Sequence, residues 1–285
     1  MKVDELYSSS IGDLKITCVD TANSGGAASD APFHLELAKP QPPLAAIQHL
    51  NAFSSIARLA RGHHCGSGNI VGYSPSGYVS HVCLGFHKVD DPSGPCPNWA
   101  TFLASNEIDQ AFRGLLYLDE KDRQAFDLAT EFYRAATVVR CAGSLEIAIV
   151  AAQATLEYLV QFVLIGKAGW SKTKLANQKF STKLRAAAEF IGFSEGPLEG
   201  CTELETWGKR FTDADGYQLL TKVRNGIVHP PRPNGLGASE LVQSWEALMF
   251  IAELFMFFVV DVRGQMADRR QTRRFWGNSI DIPLP

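Results

Sequence analysis

The stretch from Ser144 to Ile165, SLEIAIVAAQATLEYLVQFVLI, decides the fold. Wound as a helix, it carries apolar residues around most of its circumference, so neighbours must cover it on nearly every side. Ser144 is a suitable N-cap, and Glu157 and Gln161 lie one turn apart on the single polar side. Helical spacing elsewhere supplies the neighbours. Asp119 to Val139 places Phe126, Leu128, Phe132, Tyr133 and Val138 in register, and Ser181 to Phe193 turns Leu184, Ala187, Ala188 and Ile191 inward. Tyr217 to Val228 forms a fourth helix with Asp213 or Asp215 as cap, and Ser239 opens a last one reaching about Val262. Five helices with short connections predict an all-α bundle over residues 101–285. The most apolar run, Ala247 to Val262, is short and interrupted by Glu253 and Asp261. It reads as a core helix, and no membrane partner is expected.

Residues 1–100 read differently. Gly, Pro and Ser are frequent there, and apolar residues come in short runs. Leu14 to Val19 and His34 to Ala38 alternate as strands do. Asn69 to Tyr73 and Tyr78 to Phe86 flank Ser-Pro-Ser-Gly, a turn sequence, and Leu44 to Arg61 suits a helix. DDPSGPCPNW, residues 90–99, reads as a linker. The expected fold class is therefore α+β: a small β-containing N-terminal region, a possible sensor, followed by the helical bundle.

Bulk properties narrow the function. Charged residues are 20% and hydrophobic residues 46% of the 285, which suits a packed core rather than a disordered chain. The net charge of −3 argues against a protein that coats nucleic acid over its whole surface, so any such contact needs a local patch. The six cysteines are scattered with no CxxC, and MKVDELYSSS lacks the apolar run of a signal peptide. Free thiols in a cytoplasmic protein are expected.

The chemistry gathers in Lys222 to Pro231, KVRNGIVHPP. A helix there should stop near His229, because a residue before proline avoids the α region. Asn225 and His229 share a helix face, whereas an unbroken helix would splay Arg224 from His229; a bend at the stop brings them round. Histidine exchanges a proton near neutral pH. Arginine grips phosphate oxygens through a planar fork, and asparagine orients either group or a ribose hydroxyl. Together they fit metal-free scission of a phosphodiester with the RNA 2′-hydroxyl as nucleophile. The same residues also fit an ordinary helix end, where cations answer the dipole and proline follows.

RNGIVH resembles the Arg-x4–6-His signature of the HEPN superfamily, set as it is there between a long apolar helix with an acidic residue, Glu157, and a final apolar helix. The resemblance covers about residues 104–265. It implies a metal-independent endoribonuclease without cofactor, a homodimer with two motifs facing each other across a two-fold axis. Arg224 would stabilise the pentavalent phosphate, His229 would act as general acid or base or hold the phosphate, and Asn225 would orient His229 or the ribose. Glu157 would support Arg224 by pairing with its guanidinium. The layout of a β-containing region before such a bundle resembles ApeA-like antiphage proteins, which implies tRNA or another cellular RNA as target and an activator bound by the N-terminal region. Other members keep the fold without cleaving and bind nucleotide or a partner protein.

Arg263 to Trp276 carries five arginines against one aspartate. As a basic patch beside Phe275 and Trp276 it offers Arg269, Arg270 and Arg273, with Lys222, as RNA-binding residues; a solvated helix end is the plain alternative. His63, His64, Cys65, His81, Cys83, His87 and Cys96 include metal-ligand types, but their spacing matches no zinc pattern and no metal is assigned. GSG at 66–68 and GLG at 235–237 lack the strand-to-helix context of a dinucleotide loop, and no Gly-x-Ser-x-Gly elbow is present.

Overall fold

The computed structural model describes residues 5–11, 14–19, 33–37, 39, 41–62, 64, 70–74, 76–83, 105–229, 235–271 and 279–283. The fold is α+β and mostly helical. Helices α3 (Glu120–Cys141) and α4 (Leu145–Gln161) form a hairpin, and α4 continues through a π-helical turn, Phe162–Lys167. Asp119 caps α3, its carboxylate accepting from the Asp122 amide at 2.8 Å. The short helices α5 (Lys172–Ala176) and α7 (Thr202–Gly208) flank α6 (Phe180–Phe190). Helix α8 (Gly216–Val228) leads to the long α9 (Ala238–Val259).

Helix α9 is the axis of the core. From Leu241 to Val259 its side chains are buried on every face except at Val242 and Phe258, with α3, α4, α7 and α8 packed around it. Protein thus covers the whole circumference, and α9 keeps no spare apolar face for a second subunit. Helix α4 is covered less completely: Ile147 (59% exposed) and Tyr158 (39%) reach solvent. Both helices are long and apolar enough to cross a membrane by length and composition. Most of α9 and about half of α4 is instead buried in protein.

The strands are modest. β1 (Glu5–Ile11), β2 (Leu14–Val19) and β3 (Phe33–Leu37) make an antiparallel sheet in that order. β4 (Ile70–Tyr73) and β5 (Val79–Cys83) pair across a turn in which the Gly77 amide donates to the Ser74 carbonyl at 2.9 Å. β6 (Gln265–Ala267) and β7 (Ser279–Asp281) pair near the C-terminus, so residues 101–285 are not purely helical as expected.

Residue 100 does not mark a packing boundary. Helix α1 (Pro43–Arg61) buries Leu50, Ile56 and Leu59 in the same core as α3 and α9. Ser55 donates to Asp127 on α3 at 2.7 Å, and Arg58 pairs with Glu131 at 2.8 Å. Burial raises the Asp127 carboxyl above its usual range, against the lowering pull of Ser55 and Arg58. Gly62 ends α1 at φ +68, where a Cβ would meet Thr137 at 2.6 Å.

Helix α2 (Ser105–Tyr117) grips the far end of α9. The Gln110 amide bonds both the Arg263 carbonyl (3.0 Å) and the Arg263 amide (2.7 Å), as a strand neighbour would. Gly114 lies so close that a Cβ would sit 1.8 Å from the Val260 carbonyl oxygen.

Cysteine chemistry departs from expectation in one place. Cys201 is a free buried thiol, but Cys141 is disulfide-bonded, to a cysteine whose side chain is not among those described. The all-thiol reading is corrected to that extent.

Candidate functional site

Helix α8 presents the motif. Asp215 caps it, accepting from the Gln218 amide at 2.9 Å while the Gln218 side chain accepts from the Asp215 amide at 3.1 Å. Tyr217, Leu219, Leu220 and Val223 face the core and fix the helix's rotation. Burial pushes the Tyr217 hydroxyl up to about 12. The helix stops at Val228, and His229 takes an extended conformation, φ −122 and ψ 100, as the proline that follows demands.

Arg224 is half-buried, whereas Asn225 and His229 are exposed. Asn225 links its neighbours: its side-chain oxygen accepts from Arg224 Nη1 at 3.2 Å, and its backbone carbonyl accepts from the His229 amide at 2.8 Å. Arg224 Nε is shielded from solvent with no hydrogen-bond partner, and Arg224 forms no ion pair among the described residues. A guanidinium so placed is ready to meet an oxyanion. Among the described residues no hydrogen bond or ion pair joins the Arg224 and His229 side chains; Asn225 bonds the Arg224 guanidinium and the His229 backbone amide.

The supporting residues divide. Glu157 is exposed on α4 and accepts from Gln153 Nε2 at 3.3 Å. It does not pair with Arg224, so its expected supporting role is corrected. Lys222 is exposed on α8, its ammonium 4.8 Å from the centre of the Phe211 ring. Arg269 and Arg270 are 2% and 1% exposed, and neither is available to an RNA backbone. Arg273, Phe275 and Trp276 lie outside the described residues, as do His63, Cys65, His87 and Cys96 of the cysteine–histidine set. His64 is buried 3.3 Å from Glu131, His81 is exposed, and among the described residues no group of three His, Cys, Asp or Glu could hold a metal.

Arg269 and Arg270, expected in a basic patch, form a buried clasp instead. Arg269 Nε donates to Glu253 Oε2 at 3.1 Å, its Nη2 donates to Glu253 Oε1, and Tyr133 Oη donates to Glu253 Oε1 at 2.6 Å. The Arg269 guanidinium lies 5.2 Å from the Trp245 ring, whose indole N–H donates to the Ala136 carbonyl at 3.2 Å. Burial pushes both Glu253 and Tyr133 above their ordinary values, while Arg269 pulls each back. Arg270 bonds Asp268 through Nε and Nη2 at 2.9 Å each, Glu195 at 3.1 Å and the Gly196 carbonyl at 2.8 Å, with Phe250 stacked 3.9 Å away. Desolvation opposes the Arg270 charge, but Asp268 and Glu195 outweigh it and raise its pKa. These bonds fasten the segment after α9 into the bundle.

Two clefts stand out. One is lined by Glu203, Ser239, Gln243 and Glu246 at the start of α9, and the other lies between α7 and α8. Neither is lined by Arg224, Asn225 or His229, which sit on the outer side of α8.

No curated protein and no solved structure matches the chain significantly. Residues 119–280, from the cap of α3 into β7, match the family described as the YopA C-terminal domain. That match spans more than half of the 285 residues and takes in α8 with its motif, the α9 core and the Asp268–Arg270 clasp. The chain belongs to the YopA C-terminal domain family.

Proposed function

We propose that this chain is a metal-independent endoribonuclease of HEPN type, acting in bacterial defence or as a toxin, in the cytoplasm and as a homodimer. The observation that carries the reading is Arg224: a half-buried guanidinium without an acidic partner among the described residues, one bonded residue away from an exposed histidine at a proline-stopped helix end. Arg269 and Arg270, buried far more deeply, each hold a carboxylate instead.

In the proposed reaction the 2′-hydroxyl of RNA attacks the adjacent phosphorus and the P–O5′ bond breaks. His229 takes the 2′-hydroxyl proton or supplies one to the departing 5′ oxygen. Arg224 holds the non-bridging oxygens as negative charge gathers on them, and Asn225 keeps the guanidinium turned. The products are a 2′,3′-cyclic phosphate and a 5′-hydroxyl. Val228, 40% exposed beside His229, offers an apolar contact to a second copy bringing its own motif. The target is tRNA or another cellular RNA, and the N-terminal region binds the activator.

The second reading is a non-catalytic bundle that binds nucleotide or a partner protein through the same surface, and it is favoured by the motif's lying outside both of the clefts described above. Incubation with total RNA in EDTA separates the two. Cleavage that survives chelation, and falls at least a hundredfold in His229→Ala and Arg224→Ala, supports the nuclease. Cleavage by both variants at the wild-type rate refutes it.

A further inference from the structure

The cleft between α7 and α8 has the chemistry of a nucleotide subsite. It is shallow, about 510 Å³, with Phe211, Lys209 and Leu219 among its lining together with Glu199 and Glu205; Lys222 stands outside it. Phe211 is half-buried, and the edge-on ring of Trp207, 4.8 Å away, holds its orientation. Lys222 reaches over the same ring. An aromatic face fixed beside two exposed lysines is the combination by which proteins hold single-stranded nucleic acid: the ring stacks a base and the ammonium groups meet the phosphates on either side.

Its position relates it to the motif. Lys222 is exposed on α8, and His229 follows directly on that helix's last residue, Val228. The Arg210 side chain, from the loop that carries Phe211, packs against Gly235, just beyond the motif: a Cβ there would meet Arg210 Nη1 at 2.0 Å. The loop after α7 and the stop of α8 therefore flank one strip of surface. We infer that this cleft holds the base of a nucleotide neighbouring the one at His229, with Phe211 as stacking platform and Lys222 and Lys209 on the backbone. The inference rests on the nuclease reading for its choice of RNA, and it makes the substrate single-stranded at the cleavage site.

The test uses the full chain and a short single-stranded 2′-O-methyl RNA, which lacks the nucleophile and stays intact. Binding is followed by fluorescence anisotropy in EDTA across a salt series. Phe211→Leu, which keeps an apolar contact with Trp207, is expected to weaken binding about tenfold, and Phe211→Tyr to restore it. An abasic linker at one position should cost the wild-type protein the same factor and cost Phe211→Leu nothing further. Lys222→Met should flatten the slope of log affinity against log salt by about 0.7. Unchanged affinity in Phe211→Leu overturns the inference, as does an abasic penalty that simply adds to that of the variant or an absence of binding altogether. Unmodified RNA run in parallel keeps the two ideas apart: wild type that binds through Phe211 yet never cleaves loses the nuclease reading alone, and cleavage indifferent to Phe211 loses the cleft alone.

Discussion

Replacing Glu253 by glutamine should be among the most damaging single changes in the molecule, although it alters one atom. The carboxylate is fully buried and takes two donors from Arg269 and one from Tyr133. Glutamine keeps the shape but leaves a guanidinium that is 2% exposed without its counter-charge. Breaking a buried pair from one side costs about 3–5 kcal/mol. Whole domains are stable by about 5–15 kcal/mol, so roughly a fifth or more of the total is at stake. At about 2–4 °C per kcal/mol, the midpoint should fall by roughly 6–20 °C. Removing both charges is a different matter. Glu253→Leu with Arg269→Met takes two costly desolvations out of the folded state, and such exchanges are near neutral or stabilise by about 1–4 kcal/mol. Tyr133 would then be stranded at about 1–3 kcal/mol, so Tyr133→Phe completes the set. Urea and thermal unfolding of single, double and triple variants give the coupling energy directly. A loss below about 1 kcal/mol in Glu253→Gln, or a double variant that costs the sum of its singles, would show that the pair is not dry and sink the reasoning.

Two further outcomes are expected. Gly114→Ala places a methyl 1.8 Å from the Val260 carbonyl oxygen, so despite alanine's better helix propensity it should lower stability by about 1–3 kcal/mol in urea unfolding; a more stable variant would mean α2 does not seat there. Burial lifts the Cys201 thiol to about 12, so at pH 8 it should resist a maleimide in the native protein and react once unfolded, and with Cys141 in a disulfide the unreduced, unfolded chain should show at most four of its six thiols.

Much of the helical architecture could be read from residue spacing, for a physical reason. α3, α6 and α8 carry apolar periodicity and α4 and α9 long, nearly unbroken apolar runs, and the structure places each within a few residues of its expected span. The strand runs Leu14–Val19 and Ile70–Tyr73 were legible from alternation and a turn signal. Helix α2 passed unnoticed although Ile108, Ala111, Phe112 and Leu115 recur at helical spacing and pack into the core, whereas its anchoring through Gln110 and Gly114 gives no hydrophobic signal. The stop at His229 was legible from Pro230, since that constraint is local. The fate of Arg269 and Arg270 was not: their partners Glu253 and Glu195 lie 16 and 75 residues away, and nothing in an arginine run tells whether it faces water or a carboxylate. Glu157 erred the other way. Its spacing along α4 was read correctly, but whether a helix face turns toward α8 is settled by packing angles that no single segment encodes.

The way α1 and α2 join the bundle bears on how the chain could sense anything. Ile56 and Leu59 share a hydrophobic interior with the family region, and Gln110 holds the backbone where α9 ends. Helices α1 and α2 therefore do not hang from the rest as a beads-on-string attachment. A push on α1 loads the α3 helix through Asp127 and Glu131, and a shift of α2 tugs the very carbonyls that terminate the central rod. Mechanical continuity of this sort means that any displacement of α1 or α2 would be felt in the geometry of the bundle.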